Sequence, residues 1–236
     1  MHPLLGVTEL PPEERLAYVY SANSATMAEV RAYYDEQRER LRAEALGEEA
    51  DRIEAENRRM ESLSRLAGVP ERYLTAPIDG TAVPTLDSGR GLWWHGPVGT
   101  GKTLRACSAL RGWARLHGGG ARFVTSPALM TELRSTYDGQ GSEAAVVAKY
   151  ARCPLLVLDD VGKEAPTEWA LAKLYEIIDA RWAAKLPTCL TSNHTPSQLA
   201  RRLAQRGDAE SAEAVVSRLA GTCELVATGG EDRRMA

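Results

Sequence analysis

Gly96-Pro97-Val98-Gly99-Thr100-Gly101-Lys102-Thr103 is the stretch whose reading decides the fold, and it follows the apolar run Leu92-Trp93-Trp94-His95. Its glycines let main-chain N–H groups turn inward around phosphate oxygens. A helix starting just after them directs the positive end of its dipole at the same point. In this G-x-x-x-x-G-K-T pattern Lys102 reaches the β- and γ-phosphates and the Thr103 hydroxyl takes a place on Mg2+. The expected ATP-binding set runs from Gly96 through Thr103 and includes Leu104 at the start of the helix.

A phosphate site of this kind needs a second acidic group for the metal, and Leu155-Leu156-Val157-Leu158-Asp159-Asp160 supplies one. The apolar run is typical of a parallel strand buried on both faces. Asp159 is the expected Mg2+ residue, and Asp160 is placed to orient or deprotonate the attacking water. Two aspartates after a strand also serve as helix or turn caps, a reading that loses weight behind a phosphate loop. Farther on, Thr188-Cys189-Leu190-Thr191-Ser192-Asn193 forms another strand ending in polar residues. If that strand lies between the other two, Asn193 reaches the carboxyl edge of the sheet, where ligands bind in open α/β folds. As a turn residue before a capped helix Asn193 is equally well explained.

Around these landmarks, short apolar runs at 92–95, 121–125, 155–158, 188–191 and 224–228 alternate with helical stretches. That alternation predicts an α/β fold, a five-stranded parallel sheet flanked by helices. Ser126-Pro127 and Thr195-Pro196 each place a hydroxyl before a proline as a helix start, and Thr195 with Gln198 fits a capping box. Residues 77–90, rich in Gly, Pro and Asp, read as a loop into this core.

Upstream, residues 27–66 contain one glycine and no proline, and Leu46, Ile53 and Met60 recur every seven residues within a dense run of Glu and Arg. This predicts a long charged helix ended by Gly68-Val69-Pro70. Its thin apolar stripe suits either a solvated arm or a partner-binding module. The expected division is a helical N-terminal segment, residues 1–66, and an ATPase domain, residues 67–236.

Composition sets the remaining limits. The 236 residues are 44% hydrophobic and 26% charged, enough to bury a sizeable core. A net charge of -3 gives no overall electrostatic reason to bind nucleic acid, so any DNA contact is local. Cys107, Cys153, Cys189 and Cys223 stand too far apart for a zinc or redox motif and read as buried free thiols. No apolar run is long enough to span a membrane and no secretory signal opens the chain, which places the protein in the cytoplasm.

Taken in order, these motifs resemble the AAA+ helicase-loader ATPases of the DnaC/DnaI type and the related IstB transposition ATPases. Gly68-Val69-Pro70-Glu71-Arg72-Tyr73 resembles the loaders' entry into the ATPase core. Gly91 to Thr103 is similar to their Walker A region, Leu156 to Gly162 with Glu164 and Thr167-Glu168-Trp169 to their Walker B region, and Thr191-Ser192-Asn193 to the sensor I strand. The resemblance implies that Arg218 is an arginine finger reaching the nucleotide of a neighbouring subunit, and that Arg233, or Arg234, is the sensor II arginine. Taken singly, Arg218 reads as a surface charge and the last arginines as a frayed tail. Asp160 stands where many AAA+ proteins carry glutamate, a shorter reach that implies slow hydrolysis, while an arginine supplied across an interface implies dependence on assembly. By the same resemblance the partners are a replicative DNA helicase, bound through the segment before Ala67, and single-stranded DNA, contacted through residues 129–137. There Arg134 and Tyr137 offer phosphate contact and stacking, while Leu129, Leu133 and Tyr137 also fit a core face. The function implied is a helicase loader in replication initiation, with an IstB-like transposition helper as the alternative.

Overall fold

The structure, a computed structural model, describes residues 27–139, 141–165 and 167–230. The chain divides into two compact units, Met1–Arg58 and Arg59–Ala236. One helix, α1 (Met27–Ala67), begins in the first and ends in the second. In the first unit α1 carries Arg40–Glu44 and Glu54–Arg58 ion pairs one helical turn apart. Leu41, Leu46 and Ile53 there are 64%, 67% and 56% exposed. The last turns of α1 are different: Met60 and Ser64 are fully buried in the second unit, and Gly68 takes a left-handed φ of 88° that ends the helix.

The second unit is built on five parallel strands: β1 (Gly91–His95), β2 (Ala121–Thr125), β3 (Leu155–Asp159), β4 (Thr188–Ser192) and β5 (Cys223–Ala227). Their order is β2-β3-β4-β1-β5. Each expected strand is present within one residue of its reading. The 77–90 segment departs from its reading as a loop: Val83–Asp87 forms a short helix, α2, with Pro84 in its first turn and Val83 and Leu86 buried. Pro84 has a preset φ and no N–H to lose there, and two apolar side chains gain burial by turning inward.

Strand alternation separates two cores. Leu92, Trp94, Leu155, Val157 and Cys189 face one side, packed against α3 (Lys102–His117), α2 and the end of α1. Trp93, Leu156, Leu158 and Leu190 face the other. That second face is covered by α4 (Ser126–Ser135), α5 (Glu143–Ala151), α6 (Glu168–Ala183), α7 (Pro196–Leu203) and α8 (Ala209–Thr222). Because both faces are covered, β3 reads as an unbroken apolar run rather than an alternating one. The Thr195–Gln198 capping box forms as read. At α4 the cap falls one residue earlier than read, with the Thr125 hydroxyl accepting from the Ala128 N–H, so Pro127 occupies the second helical position and Ser126 is buried.

Arg181 of α6 is 1% exposed with no carboxylate beside it among the described residues, yet its guanidinium donates to the Thr188 hydroxyl and to the carbonyls of Tyr150, Cys153 and Pro187. It ties the ends of α5 and α6 to the starts of β3 and β4. All four cysteines are free and buried, and burial pushes the Cys107, Cys189 and Cys223 thiols up to about 12, which keeps them protonated.

Gly91 shows how tightly the central strands meet. A Cβ at this position would lie 1.8 Å from the Thr188 carbonyl oxygen and 3.0 Å from the Cys223 sulfur. Gly91→Ala should therefore destabilise the second unit by about 1–3 kcal/mol or more, lowering the thermal midpoint roughly 2–4 °C per kcal/mol. An unchanged midpoint in a calorimetric scan would contradict this packing.

Candidate nucleotide site

The strand order explains where a site can form. The chain leaves β1 for the far edge at β2, returns through β3 and β4, and passes β1 again to reach β5. The carboxyl end of β1 is thus a switch point, flanked by the ends of β4 and β5, where open α/β sheets bind ligands. The Gly96–Thr103 loop lies here. Gly96 donates to the Ser192 carbonyl, and a Cβ on Gly96 would lie 2.1 Å from the Thr228 carbonyl oxygen, so this backbone approach requires glycine. Gly99 and Gly101 take φ of 85° and 81°, conformations that side chains oppose. Gly101 caps α3 without a side-chain oxygen, leaving the first-turn N–H groups directed into the loop's concavity. Val98 is 54% exposed at the tip of the loop, and Leu104 spends its side chain on the core beneath α3.

Lys102 lies over the loop, its Nζ 2.8 Å from the Gly96 carbonyl and 2.6 Å from that of Pro97. The Thr103 hydroxyl donates to Asp159 at 3.0 Å. On the other side the Thr191 hydroxyl stands 2.6 Å from the same carboxylate. Burial raises the Asp159 pKa and the hydrogen bonds from Thr191 and Thr103 oppose that rise. A hydroxyl and a carboxylate side by side at the head of a phosphate loop fit a hard divalent cation, so Thr103 and Asp159 are the residues that could hold Mg2+. Asp160 follows with a φ of 60°, pairs with Lys163 at 2.6 Å and is reached through the turn after β3. Because β4 does lie between β3 and β1, Asn193 reaches the same carboxyl edge, half-buried.

Arg218 is placed elsewhere. It sits on α8 against α6, with Nε 2.7 Å from Asp179, a hydrogen bond to the Tyr175 hydroxyl at 3.2 Å, and its guanidinium over the Tyr175 and Trp182 rings at 4.9 and 5.3 Å. The Nε–H does not point along the line to Asp179, so that contact is an ion pair rather than a hydrogen bond. Arg233 and Arg234 lie outside the described residues. The sequence reading missed two residues here. One is Thr191 in its contact with Asp159. The other is Thr228, whose hydroxyl meets that of Thr100 at 2.9 Å and donates to the His95 carbonyl. Both are strand-end threonines whose partners become visible only when strands distant in sequence come together.

A family model described as IstB-like ATP binding protein matches residues 14–236. The chain belongs to that family. Among known proteins, an insertion-sequence ATP-binding protein of Mycobacterium tuberculosis is 33% identical over 50% of this chain and 47% of its own length. The replicative helicase loader DnaI of Bacillus subtilis is 28% identical over 62% of this chain and 48% of its own. The chain thus spans about half the length of these curated relatives. The crystal structure of a DnaC helicase loader superposes with a TM-score of 0.55 and 26% identity, covering 68% of this chain and 100% of that one. The fold is that of the AAA+ P-loop proteins, and the family is an ATP-binding one. Among the described residues no helix is long and apolar enough to cross a membrane.

Two outcomes test the IstB-like site. At a hundredfold excess of ATP·Mg2+ over its Kd the unaltered protein should gain about 2.7 kcal/mol of stability. Lys102→Ala should show no such shift by differential scanning fluorimetry, since it removes the charge that would face the phosphates. Asp159 gives a pH signature. A carboxyl whose pKa is raised on folding favours the fold while protonated, and that contribution is lost as pH climbs from the ordinary carboxyl value of 3.8 through the raised one. Asp159→Asn should therefore raise the nucleotide-free melting temperature at pH 7 and flatten its decline with pH. A lower melting temperature for Asp159→Asn than for the unaltered protein would exclude this account.

Proposed function

We propose that this chain is an ATP-hydrolysing loader that places a replicative helicase on single-stranded DNA, with ATP and Mg2+ as its cofactors. The observation that carries it is the convergence of the Gly96–Thr103 loop, Thr103, Asp159 and Asp160 at one sheet edge, beside Asn193. Bound ATP·Mg2+ would supply an electrophilic γ-phosphorus. Lys102 and the loop N–H groups would neutralise charge on the phosphates and on the departing ADP, Thr103 and Asp159 would hold the metal, Asp160 would orient a water and take its proton, and Asn193 would position that water or the γ-phosphate. Arg218 acts in trans: stabilising charge across a subunit interface makes turnover depend on assembly. Arg233 is assigned to the nucleotide of its own subunit by the family resemblance alone.

Two surfaces support the partners. Exposed Leu46 and Ile53, seven residues apart on one face of α1, offer a helicase an apolar contact on the N-terminal segment. On α4, Leu129 and Leu133 are fully buried, whereas Tyr137 leaves the helix and is 66% exposed. Its ring centroid lies 6.2 Å from that of Trp169 with the rings tilted by 53°, and the Arg134 guanidinium lies over the Trp169 ring at 5.2 Å. An aromatic pair with a cation suits unpaired bases and their phosphates. A transposition helper is the second reading, favoured by the insertion-sequence relative and by the family model's reach from residue 14.

Purified protein should hydrolyse ATP faster with single-stranded DNA and should promote helicase deposition on a circular single strand. Stimulation of a transposase with no effect on the helicase would favour the second reading, and metabolite phosphorylation would exclude both. For the arginine, Arg218→Ala and Asp160→Asn proteins, each slow alone, should recover turnover when mixed. Absence of recovery at every mixing ratio would rule out action in trans.

A further inference from the structure

The turn that follows β3 places a non-glycine residue in the left-handed region, and one residue of the neighbouring strand hydrogen-bonds along it. Asp160 has a φ of 60°, in the left-handed region that residues other than glycine enter rarely, aspartate and asparagine more readily than most. Such a conformation persists only where its surroundings over-determine it. Thr191, 0% exposed at the end of β4, meets three consecutive residues of the turn. Its hydroxyl accepts from the Asp160 N–H at 2.9 Å and donates to Asp159 Oδ1 at 2.6 Å, and its carbonyl accepts from the Val161 N–H at 2.9 Å. One hydroxyl carries one proton, so accepting from the amide leaves that proton for the carboxylate, and the direction of both bonds is fixed. Thr103 approaches the same carboxylate from α3. Asp159 is therefore gripped between the loop and β4, while the next residue is turned so that its side chain leaves the strand toward Lys163.

We infer that Thr191 is a positioning residue that fixes Asp159 toward Thr103 and Asp160 in its left-handed backbone through the same hydroxyl. The carboxylate of Asp159 and the backbone from which Asp160 projects are then held by one atom of the neighbouring strand. The inference rests on the ATP·Mg2+ reading of the site for its effect on turnover, though its geometry does not depend on nucleotide. Groups that orient a metal-holding residue commonly contribute about 10- to 100-fold in affinity or rate.

The test compares Thr191→Val, which keeps the shape and removes the hydroxyl, with Thr191→Ser, which keeps the hydroxyl. In the nucleotide-free full chain, amide hydrogen exchange resolved at Asp160 should accelerate about tenfold or more in Thr191→Val and stay near the original rate in Thr191→Ser, the change expected when a buried bond worth about 1.4 kcal/mol is lost. In turnover assays Thr191→Val should lose about 10- to 100-fold in kcat and need more Mg2+ for half-maximal rate, with the KM for ATP little changed. Thr191→Ser should restore both. Equal exchange and equal Mg2+ dependence in all three proteins would overturn the inference, as would loss in both variants, which would assign the effect to the methyl group. Should Thr191→Val fail to fold, Thr191→Ala removes the same hydroxyl. An unaltered protein without ATP turnover would sink the proposed function and leave the exchange measurement to judge Thr191.

Discussion

Asp159 ends an apolar strand as a carboxyl group only 4% exposed, and taking such a charge out of water costs several kcal/mol unless donors meet it. The arrangement of the sheet follows from meeting that need. Thr103 must come from the helix after β1 and Thr191 from β4, so β4 has to lie between β3 and β1, the order in which the strands stand. The phosphate loop lies above the same junction because Gly96 bonds to Ser192, the residue after Thr191. A grouping suited to a cation is thus also what makes the buried carboxylate tolerable, and the folded state carries the strain of the site in advance of any ligand.

Much of this was legible in the sequence because local and global signals agree. The glycine spacing of the loop, the unbroken apolar run into Asp159-Asp160 and the hydroxyl–proline helix starts each depend on neighbours a few residues away. The sheet positions follow from alternation of strand and helix. What stayed hidden is long-range: Thr191 against Asp159, Thr228 against Thr100, and the backbone of Thr228 against Gly96 each join strands far apart along the chain. Tyr137 shows the opposite error. At i+8 from Leu129 it extends an apolar series, but α4 stops at Ser135 and the chain turns, so the ring meets Trp169 at the surface instead of the core. The α2 helix escaped notice because proline and glycine dominate its surroundings, while burial of Val83 and Leu86 decides its conformation.

Arg218 could be placed on a helix from sequence, but not its surroundings. A guanidinium on a flexible stem loses about 2 kcal/mol of rotamer freedom when fixed, and an arginine that must meet a neighbour's phosphate bears that cost at assembly unless it is fixed beforehand. The two aromatic rings and Asp179 fix it within its own subunit, with the side chain still 23% exposed. Trp182, half exposed, leaves one side of that cage open to solvent. Under the proposed function the same cage has two opposed effects. It lowers the entropy lost on reaching across an interface, and its carboxylate competes with the phosphoryl charge the arginine would stabilise. A surface ion pair of this kind is worth at most about 1 kcal/mol, whereas a charge-assisted contact to a phosphoryl group in a closed interface is worth more. Under the proposed function the balance would favour exchange of Asp179 for a phosphoryl group once a second subunit excludes water, and the Asp179 pair before that. Under the proposed function, dependence of turnover on assembly would then reside in the α6–α8 packing as well.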